Sequence, residues 1–138
     1  MAQRIVPFIG YEDAASAIEW LQNAFGFAED RSARHEEAGT IGHAELALEG
    51  ARIYLSTPSG YANPNRMRET SELARRAYDN PWVIDGNFVE VADVDAHCDR
   101  ARVAGARILR GPEEPGIGFR IYTAEDPEGH RWMFGQRL

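Results

Sequence analysis

The pattern of apolar and polar residues at the start of the chain predicts a strand followed by a helix. Residues 4–11 are rich in isoleucine, valine and phenylalanine, as strands are. Between Asp13 and Gly26, apolar residues recur every three or four positions, which places them on one face of a helix. Aspartate often caps the start of a helix and glycine often ends one, so both ends of this helix are marked.

A hairpin is predicted next. Residues 42–48 and 52–56 each alternate between apolar and polar positions, as strands with one buried face do. Glu49-Gly50 separates them and is typical of a tight turn. A further strand is expected somewhere within residues 30–36. The first part of the chain therefore has the order strand, helix and then two or three strands.

The same order recurs in the second half of the chain. Residues 87–91 predict a strand, and a helix with apolar residues on one face then runs from Asp93 to Gly105. Residues 119–124 and 130–134 predict two strands on either side of a turn. The second part thus repeats the elements of the first.

Two anchor points show that this repetition is an internal duplication. Asp13 and Asp93, which open the two helices, lie 80 positions apart. The hairpin turns Glu49-Gly50 and Glu128-Gly129 lie 79 positions apart. A nearly constant offset across strands, helix and turn predicts two copies of one βαβββ unit.

The segment between the two copies is longer than an ordinary connection. Residues 66–78 predict a helix, and a proline-containing break precedes Trp82. One interpretation is that this helix covers the sheet or a partner chain, and the other is that it forms an arm over a binding site. We expect a single domain over residues 1–138, with module 1 at about 1–57, the linker at about 58–84 and module 2 at about 85–138.

Composition and charge exclude several classes of function. A chain of 138 residues with a formal net charge of −7 is a poor candidate for binding nucleic acid or an anionic membrane surface. No apolar run is long enough for a signal peptide or a membrane span, which predicts a soluble cytoplasmic protein. The single cysteine, Cys98, excludes an internal disulfide and a zinc site built from several thiolates.

Three segments carry a family resemblance: YEDAASAIEWLQNAFGF, DVDAHCDRARVAGARI and DPEGHRWMF. With the duplicated unit, they resemble the vicinal oxygen chelate superfamily, which includes glyoxalase I, extradiol dioxygenases and bleomycin-resistance proteins. They look most similar to its glyoxalase-like branch. The resemblance implies an α+β fold, in which two tandem βαβββ modules form a curved mixed sheet with a trough. It also implies a homodimer, because members commonly complete their troughs across a dimer interface.

In metal-using members of this superfamily, four strand residues converge on the trough as ligands. The corresponding positions here are Val6, Tyr54, Met133 and either Gly86 or Asn87. Valine and glycine cannot coordinate a metal, methionine suits soft metals, and a protonated tyrosine is a poor ligand for a hard divalent ion. We therefore expect no metal cofactor at the usual place.

Strand alternation indicates which side chains project into the trough. The expected ligand-binding residues combine aromatic or apolar groups with a few polar ones, as small-molecule pockets do: Phe8, His43, Glu45, Tyr54, Phe88, Glu90 and Met133. Two alternatives remain open. The large side chains could fill the trough and leave no pocket, or His43, Glu45 and Glu90 could form a displaced metal site.

These features lead to three functional hypotheses. The first is a metal-independent small-molecule-binding protein that resembles bleomycin-resistance proteins and acts by sequestration. The second is a glyoxalase-type lyase or isomerase, or a dioxygenase, that uses the displaced metal site or acid–base groups such as Glu90. The third is an interaction module with a decayed pocket. If Arg52 and Arg131 leave Glu45 or Glu90 unpaired, the ligand is expected to be cationic.

Other conspicuous residues receive structural interpretations. Trp20, Trp132 and Phe134 are expected in the core, together with Cys98. His97 cannot form a nucleophilic pair with Cys98, because neighbouring residues on a helix point in different directions. The remaining histidines outside the predicted trough, His35 and His130, lie in predicted loops and are expected to be solvated.

Overall fold

The computed structural model describes residues 4–79 and 86–138, so the sequence expectations for residues 80–85 lie outside the described residues. The first βαβββ unit comprises β1 (Phe8–Gly10), α1 (Ala14–Phe25), β2 (Ala28–Glu29), β3 (His35–Glu37), β4 (Thr40–Leu48) and β5 (Ala51–Ser56). The connecting segment contains α2 (Pro64–Thr70) and α3 (Glu72–Tyr78). The second unit comprises β6 (Gly86–Glu90), α4 (Val94–Val103), β7 (Arg107–Glu113), β8 (Phe119–Glu125) and β9 (Arg131–Arg137).

Each unit forms its own sheet, and the two sheets have equivalent topologies. The first sheet has the order β1-β5-β4-β2, with β3 also paired to β4, and the second has the order β6-β9-β8-β7. The opening strand of each unit runs parallel to the last: β1 places Phe8 beside Tyr54, and β6 places Phe88 beside Met133. The α+β fold with two tandem βαβββ modules is confirmed.

The duplication extends to the hydrogen bonds that cap the two long helices. Asp13 caps α1 and Asp93 caps α4, each accepting a backbone N–H from the first turn at 3.0 Å. The first amide of α1 is bound by Thr57, just after β5, and that of α4 by Gln136 on β9, both at 3.0 Å. Aspartate at these positions therefore marks where each unit turns from strand to helix.

The core lies between α1, α4 and the faces of the two sheets that these helices cover. Trp132 and Phe134 of β9 are fully buried, and the Phe25 ring of α1 contacts both. Trp20 is partly buried and packs against the same cluster, and Cys98 is buried. The predicted core residues are confirmed, and their burial supplies the main stabilisation of the fold.

Side chains of α4 hold the two modules together by binding the last turn of α1. His97 Nε2 lies 2.7 Å from the Phe25 carbonyl oxygen, and Arg100 Nε donates to the Asn23 carbonyl at 3.2 Å. Because a carbonyl only accepts, Nε2 carries the proton, and His97 Nδ1 accepts from the Tyr122 hydroxyl at 2.7 Å. These bonds satisfy carbonyls that a helix end otherwise leaves without partners.

The DPEGHRW segment forms a second junction between the modules. The buried carboxylate of Asp126 accepts from the Tyr11 hydroxyl at 2.6 Å and from Trp132 Nε1 at 3.1 Å. Glu128 accepts the backbone N–H groups of Glu12 and Asp13, at 2.6 and 3.0 Å, just before α1. This motif, which carries the family resemblance, therefore has a structural role.

The linker differs from the single helix predicted over residues 66–78. Ser71 adopts an extended conformation (φ −133°), which ends α2, and its side chain accepts the N–H of Ala74 and caps α3. Serine competes for backbone hydrogen bonds in this way, which explains why one periodic segment becomes two short helices.

Three strands also differ from the sequence expectations. β1 covers only Phe8–Gly10 instead of residues 4–11. Within residues 30–36, where one strand was expected, a 3₁₀ turn covers Arg31–Ala33 and β3 begins at His35. β7 was not predicted as a separate strand, because its register shifts twice against β8 and so strict alternation is lost.

No helix among the described residues is long and apolar enough to cross a membrane.

Candidate functional site

The first sheet carries an aromatic cluster on the face that its helix does not cover. The rings of Phe8, His43 and Tyr54 lie on three adjacent strands, with centroids 5.0–6.3 Å apart. Phe8 is 58% exposed, whereas the next residue, Ile9, is buried against the helix side. Strand alternation therefore predicted this face correctly, and three of the expected site residues are in contact.

Glu45 connects this aromatic cluster to an arginine. Its Oε2 lies 2.9 Å from His43 Nε2, and its Oε1 lies 3.6 Å from Arg52 Nη1. Arg52 lies two residues before Tyr54 on β5 and shares its face. The carboxylate charge of Glu45 is thus compensated within the sheet.

The helix-free face of the second sheet also carries aromatic side chains. Phe88 is 41% exposed, and its ring meets that of Phe119 edge-on at 5.2 Å. Gly135 lies beneath both rings, and a Cβ there would approach Phe88 Cζ to 2.5 Å. Met133, in register with Phe88, is half-buried on this face. The absence of a side chain at Gly135 therefore leaves room for the two aromatic rings.

Glu90 is paired with Arg137, whose Nη2 lies 2.5 Å from its Oε1. Glu45 and Glu90 therefore both have cationic partners. The expectation of a cationic ligand rested on one of these carboxylates being unpaired. Of the two arginines considered as partners, Arg52 contacts Glu45, whereas Arg131 is buried and pairs with Glu125. The premise of an unpaired trough carboxylate is wrong.

Two adjoining grooves follow the line where β1 faces β6, which we call the seam. The larger groove, about 480 Å³, is lined by residues 4–7, 50–53 and 86–89. The smaller groove, about 410 Å³, is lined by residues 7–10, Gly86, Asn87, Tyr61 and His130. Both volumes lie within the range of small-molecule sites. The seam joins the two sheets, because Arg52 and Phe88 line one groove and Phe8 lines the other.

Tyr61 and His130 close one end of the seam. The Tyr61 ring lies over Gly10, whose position has no room for a larger residue without movement of that ring. His130 Nε2 binds the Gly10 carbonyl at 2.7 Å and lies 3.2 Å from the Tyr61 hydroxyl. The expectation of a solvated His130 is therefore wrong, whereas His35 is exposed, although it lies on β3 instead of in a loop.

The connecting helices cover one end of the second sheet. Arg68 of α2 and Arg131 of β9 both bind Glu125, which is 3% exposed, and both guanidinium groups lie over the Tyr78 ring of α3. Burial alone would raise the pKa of Glu125, but its hydrogen bonds to these arginines hold that pKa below its ordinary value. The helices therefore contact the second sheet, as one interpretation of the linker expects, and Tyr61 of the same linker lines the smaller groove.

The residues at the usual metal-ligand positions do not fit a divalent ion. The register places Phe8, not Val6, beside Tyr54, and Phe88, not Gly86 or Asn87, beside Met133, so neither strand pair offers a hard ligand. The displaced site is not formed either. Although His43 and Glu45 are in contact, no group of three histidine, cysteine or carboxylate residues among those described is placed to hold a metal ion.

Several residues of this surface were not predicted from the sequence. Phe119 and Arg137 lie on the helix-free face of the second sheet, and Asn87 lines both grooves. Alternation along β8 would have indicated Phe119. Arg137 was missed because the predicted last strand ended at residue 134, whereas β9 continues to Arg137.

Comparisons with known proteins agree with this architecture. Residues 4–134 match the family model described as Glyoxalase/Bleomycin resistance protein/Dioxygenase superfamily. Two mycobacterial relatives are 30% identical over 130 residues, or 94% of this chain: Uncharacterized protein Mb0911c of Mycobacterium bovis and Uncharacterized protein Rv0887c of Mycobacterium tuberculosis. The aligned region covers 80% of the first relative and 72% of the second.

Solved structures give the same result. The crystal structure of TioX from Micromonospora sp. ML1 has a TM-score of 0.71 at 29% identity and covers 99% of this chain and 97% of its own. TnmS3, an antibiotic binding protein from Streptomyces sp. CB03234, has a TM-score of 0.63 at 21% identity, with coverage of 100% and 99%. The duplicated βαβββ topology and the match over nearly the whole chain show that this protein belongs to the Glyoxalase/Bleomycin resistance protein/Dioxygenase superfamily.

Proposed function

We propose that this protein binds a small aromatic molecule in the seam and that binding needs no metal ion. The observation that carries the proposal is the exposure of Phe8 and Phe88 along grooves of about 410 and 480 Å³. Large aromatic side chains are normally buried, so their exposure beside a concave surface is typical of a ligand site. Sequestration of the bound molecule is the function that such a site supports without further chemistry.

The composition of the seam supports the proposal. The larger groove combines apolar side chains, such as Ile5, Val6 and Phe88, with polar ones from Arg4, Arg52 and Asn87, and small-molecule sites combine the two in the same way. TnmS3, which has the same fold, is described as an antibiotic binding protein and is a precedent for a binding role in this fold. At 21% identity, that precedent extends to the fold and leaves the ligand of this chain open.

A second part of the proposal concerns assembly. We propose that the protein is a homodimer in which a second copy shields the exposed apolar residues of the seam. Ile5 is 99% exposed and lies in the same groove as Phe88. A contiguous apolar surface of this kind is typical of protein interfaces as well as of ligand sites. In a dimer of this kind, each ligand would contact both copies.

The test is a thermal-shift screen of aromatic natural products, performed in excess EDTA. A ligand that binds only the folded state stabilises it by about 2.7 kcal/mol when the ligand concentration is a hundred times Kd. This stabilisation raises the melting temperature. We expect hits that persist in EDTA and weaken in Phe88→Ala. Ile117→Ala is the matched control, because Ile117 is an exposed hydrophobic residue between β7 and β8, outside the seam.

Two results would contradict the proposal. Absence of any stabilising compound in a broad aromatic library would remove the binding function. Hits that disappear in EDTA and return with a divalent ion would show that a metal mediates binding, despite the poor ligands on both strand pairs.

A further inference from the structure

The charge of the seam is opposite to that of the protein as a whole. The chain carries a net charge of −7, yet neither groove is lined by an aspartate or a glutamate. Arg4 and Arg52 both line the larger groove. Because Arg52 lies 3.6 Å from Glu45, Arg4 supplies the uncompensated positive charge of this lining, and clefts concentrate the field of the charges that line them.

Both arginines can offer hydrogen-bond donors to a ligand. Arg4 is exposed and forms no ion pair with the part of the chain that the structure describes. Arg52 Nη1 lies 3.6 Å from Glu45 Oε1, too far for a hydrogen bond, and Glu45 Oε2 is already bound to His43. The guanidinium group of Arg52 therefore retains donors for another acceptor.

The smaller groove adds neutral donors. His130 Nε2 carries a proton, because its partner, the Gly10 carbonyl, can only accept. The Tyr61 oxygen therefore accepts from His130 Nε2, and the Tyr61 hydroxyl hydrogen is not used in that contact. Burial raises the pKa of Tyr61 to about 12, which keeps that hydrogen in place at neutral pH. The amide of Asn87, which lines both grooves, can donate as well.

From this donor-rich lining we infer that the seam takes an aromatic ligand that carries an anionic group, such as an aryl carboxylate. The aromatic part of the ligand packs against Phe88 or Phe8, and its anionic group lies between Arg52 and Arg4. This inference rests on the proposed binding function and specifies its ligand class. Paired arginine donors suit a carboxylate because its two oxygens can each accept a charge-assisted hydrogen bond.

Three probes of matched shape test this inference: 2-naphthoate, 2-naphthamide and 2-naphthylmethylamine. Calorimetric titration of the wild-type protein should show the carboxylate binding about tenfold more tightly than the amide, as one charge-assisted hydrogen bond provides. The amine should bind most weakly. In Arg52→Gln the advantage of the carboxylate over the amide should largely disappear, and Arg4→Gln should reduce it.

Arg76→Gln is the control, because Arg76 is exposed on α3 and lies outside both grooves, so this variant changes the net charge without changing the seam. It should retain the full preference. Equal affinity for all three probes, or a preference that Arg52→Gln and Arg76→Gln reduce equally, would overturn the inference and leave the binding function intact. Failure of all three probes while the aromatic library yields seam ligands would also overturn it. Failure of the probes and of the library together would overturn both proposals.

Discussion

Replacement of His97 by phenylalanine tests how the two modules are held together. In the folded protein, the His97 ring bridges the Tyr122 hydroxyl and the Phe25 carbonyl, at 2.7 Å each. Phenylalanine keeps an aromatic ring against Phe25 and Phe134 but removes both hydrogen bonds. The substitution therefore separates the polar contribution of this residue from its packing.

The expected loss of stability follows from the two groups that lose a partner. The Tyr122 hydroxyl belongs to a fully buried residue, and leaving it without a partner costs about 1–3 kcal/mol. The Phe25 carbonyl loses a bond worth about 0.5–1.5 kcal/mol. Together, His97→Phe should lower the free energy of unfolding by about 1.5–4.5 kcal/mol, equivalent to roughly 5–15 °C in Tm for a chain of this size.

Urea unfolding followed by far-UV circular dichroism measures this change. The exposed His35→Phe substitution is the control and should change stability by less than about 0.5 kcal/mol. The double variant His97→Phe/Tyr122→Phe should be more stable than His97→Phe by about 1 kcal/mol, because no buried hydroxyl is then left without a partner. A loss below about 0.5 kcal/mol for His97→Phe, or a double variant no more stable than His97→Phe, would refute this reasoning.

Three further predictions concern pH, helix capping and assembly. Burial lowers the pKa of His97 below its value in the unfolded chain, so the unfolded state binds more protons as the pH is lowered from about 7.5 to 5.5. The free energy of unfolding should therefore fall over this pH range, less steeply in His97→Phe than in the wild type, and equal slopes would contradict this explanation. Glu128→Gln weakens the acceptor of two backbone N–H groups just before α1 and should lower the free energy of unfolding in urea by about 1–2 kcal/mol. The control Glu19→Gln, at an exposed position, should lower it little, and equal losses would count against a capping role for Glu128. Light scattering should give twice the 15.4 kDa chain mass at micromolar concentration, and a mass of one chain would contradict the proposed dimer.

Local patterns predicted the repeated architecture well. Asp13 and Asp93 identified the two helix starts because a capping aspartate acts through bonds within its own turn. Alternation along β4 and β6 assigned His43, Glu45 and Phe88 to the helix-free faces, because the side-chain period of a strand is two. Such features depend on neighbours only a few residues away, so the sequence contains them directly.

Contacts between distant residues could not be predicted in this way. His130 looked like a loop residue, yet its partner, the Gly10 carbonyl, lies 120 positions earlier. Glu90 looked unpaired because Arg137 lies beyond the predicted end of the last strand. The charge of the candidate site therefore depended on pairing across strands, which alternation alone does not determine.

The central claim, that the seam binds a small molecule without a metal, is tested most directly by nuclear magnetic resonance. The ¹⁵N-labelled protein is titrated in EDTA with the most stabilising compound of the aromatic library, and backbone amide shifts are followed. We expect saturable shifts that are largest for residues 4–10, 50–53 and 86–89, which line the grooves. Shifts centred on α1 and α4 or on the loop between β7 and β8, or saturation only after a divalent ion is added, would contradict the claim.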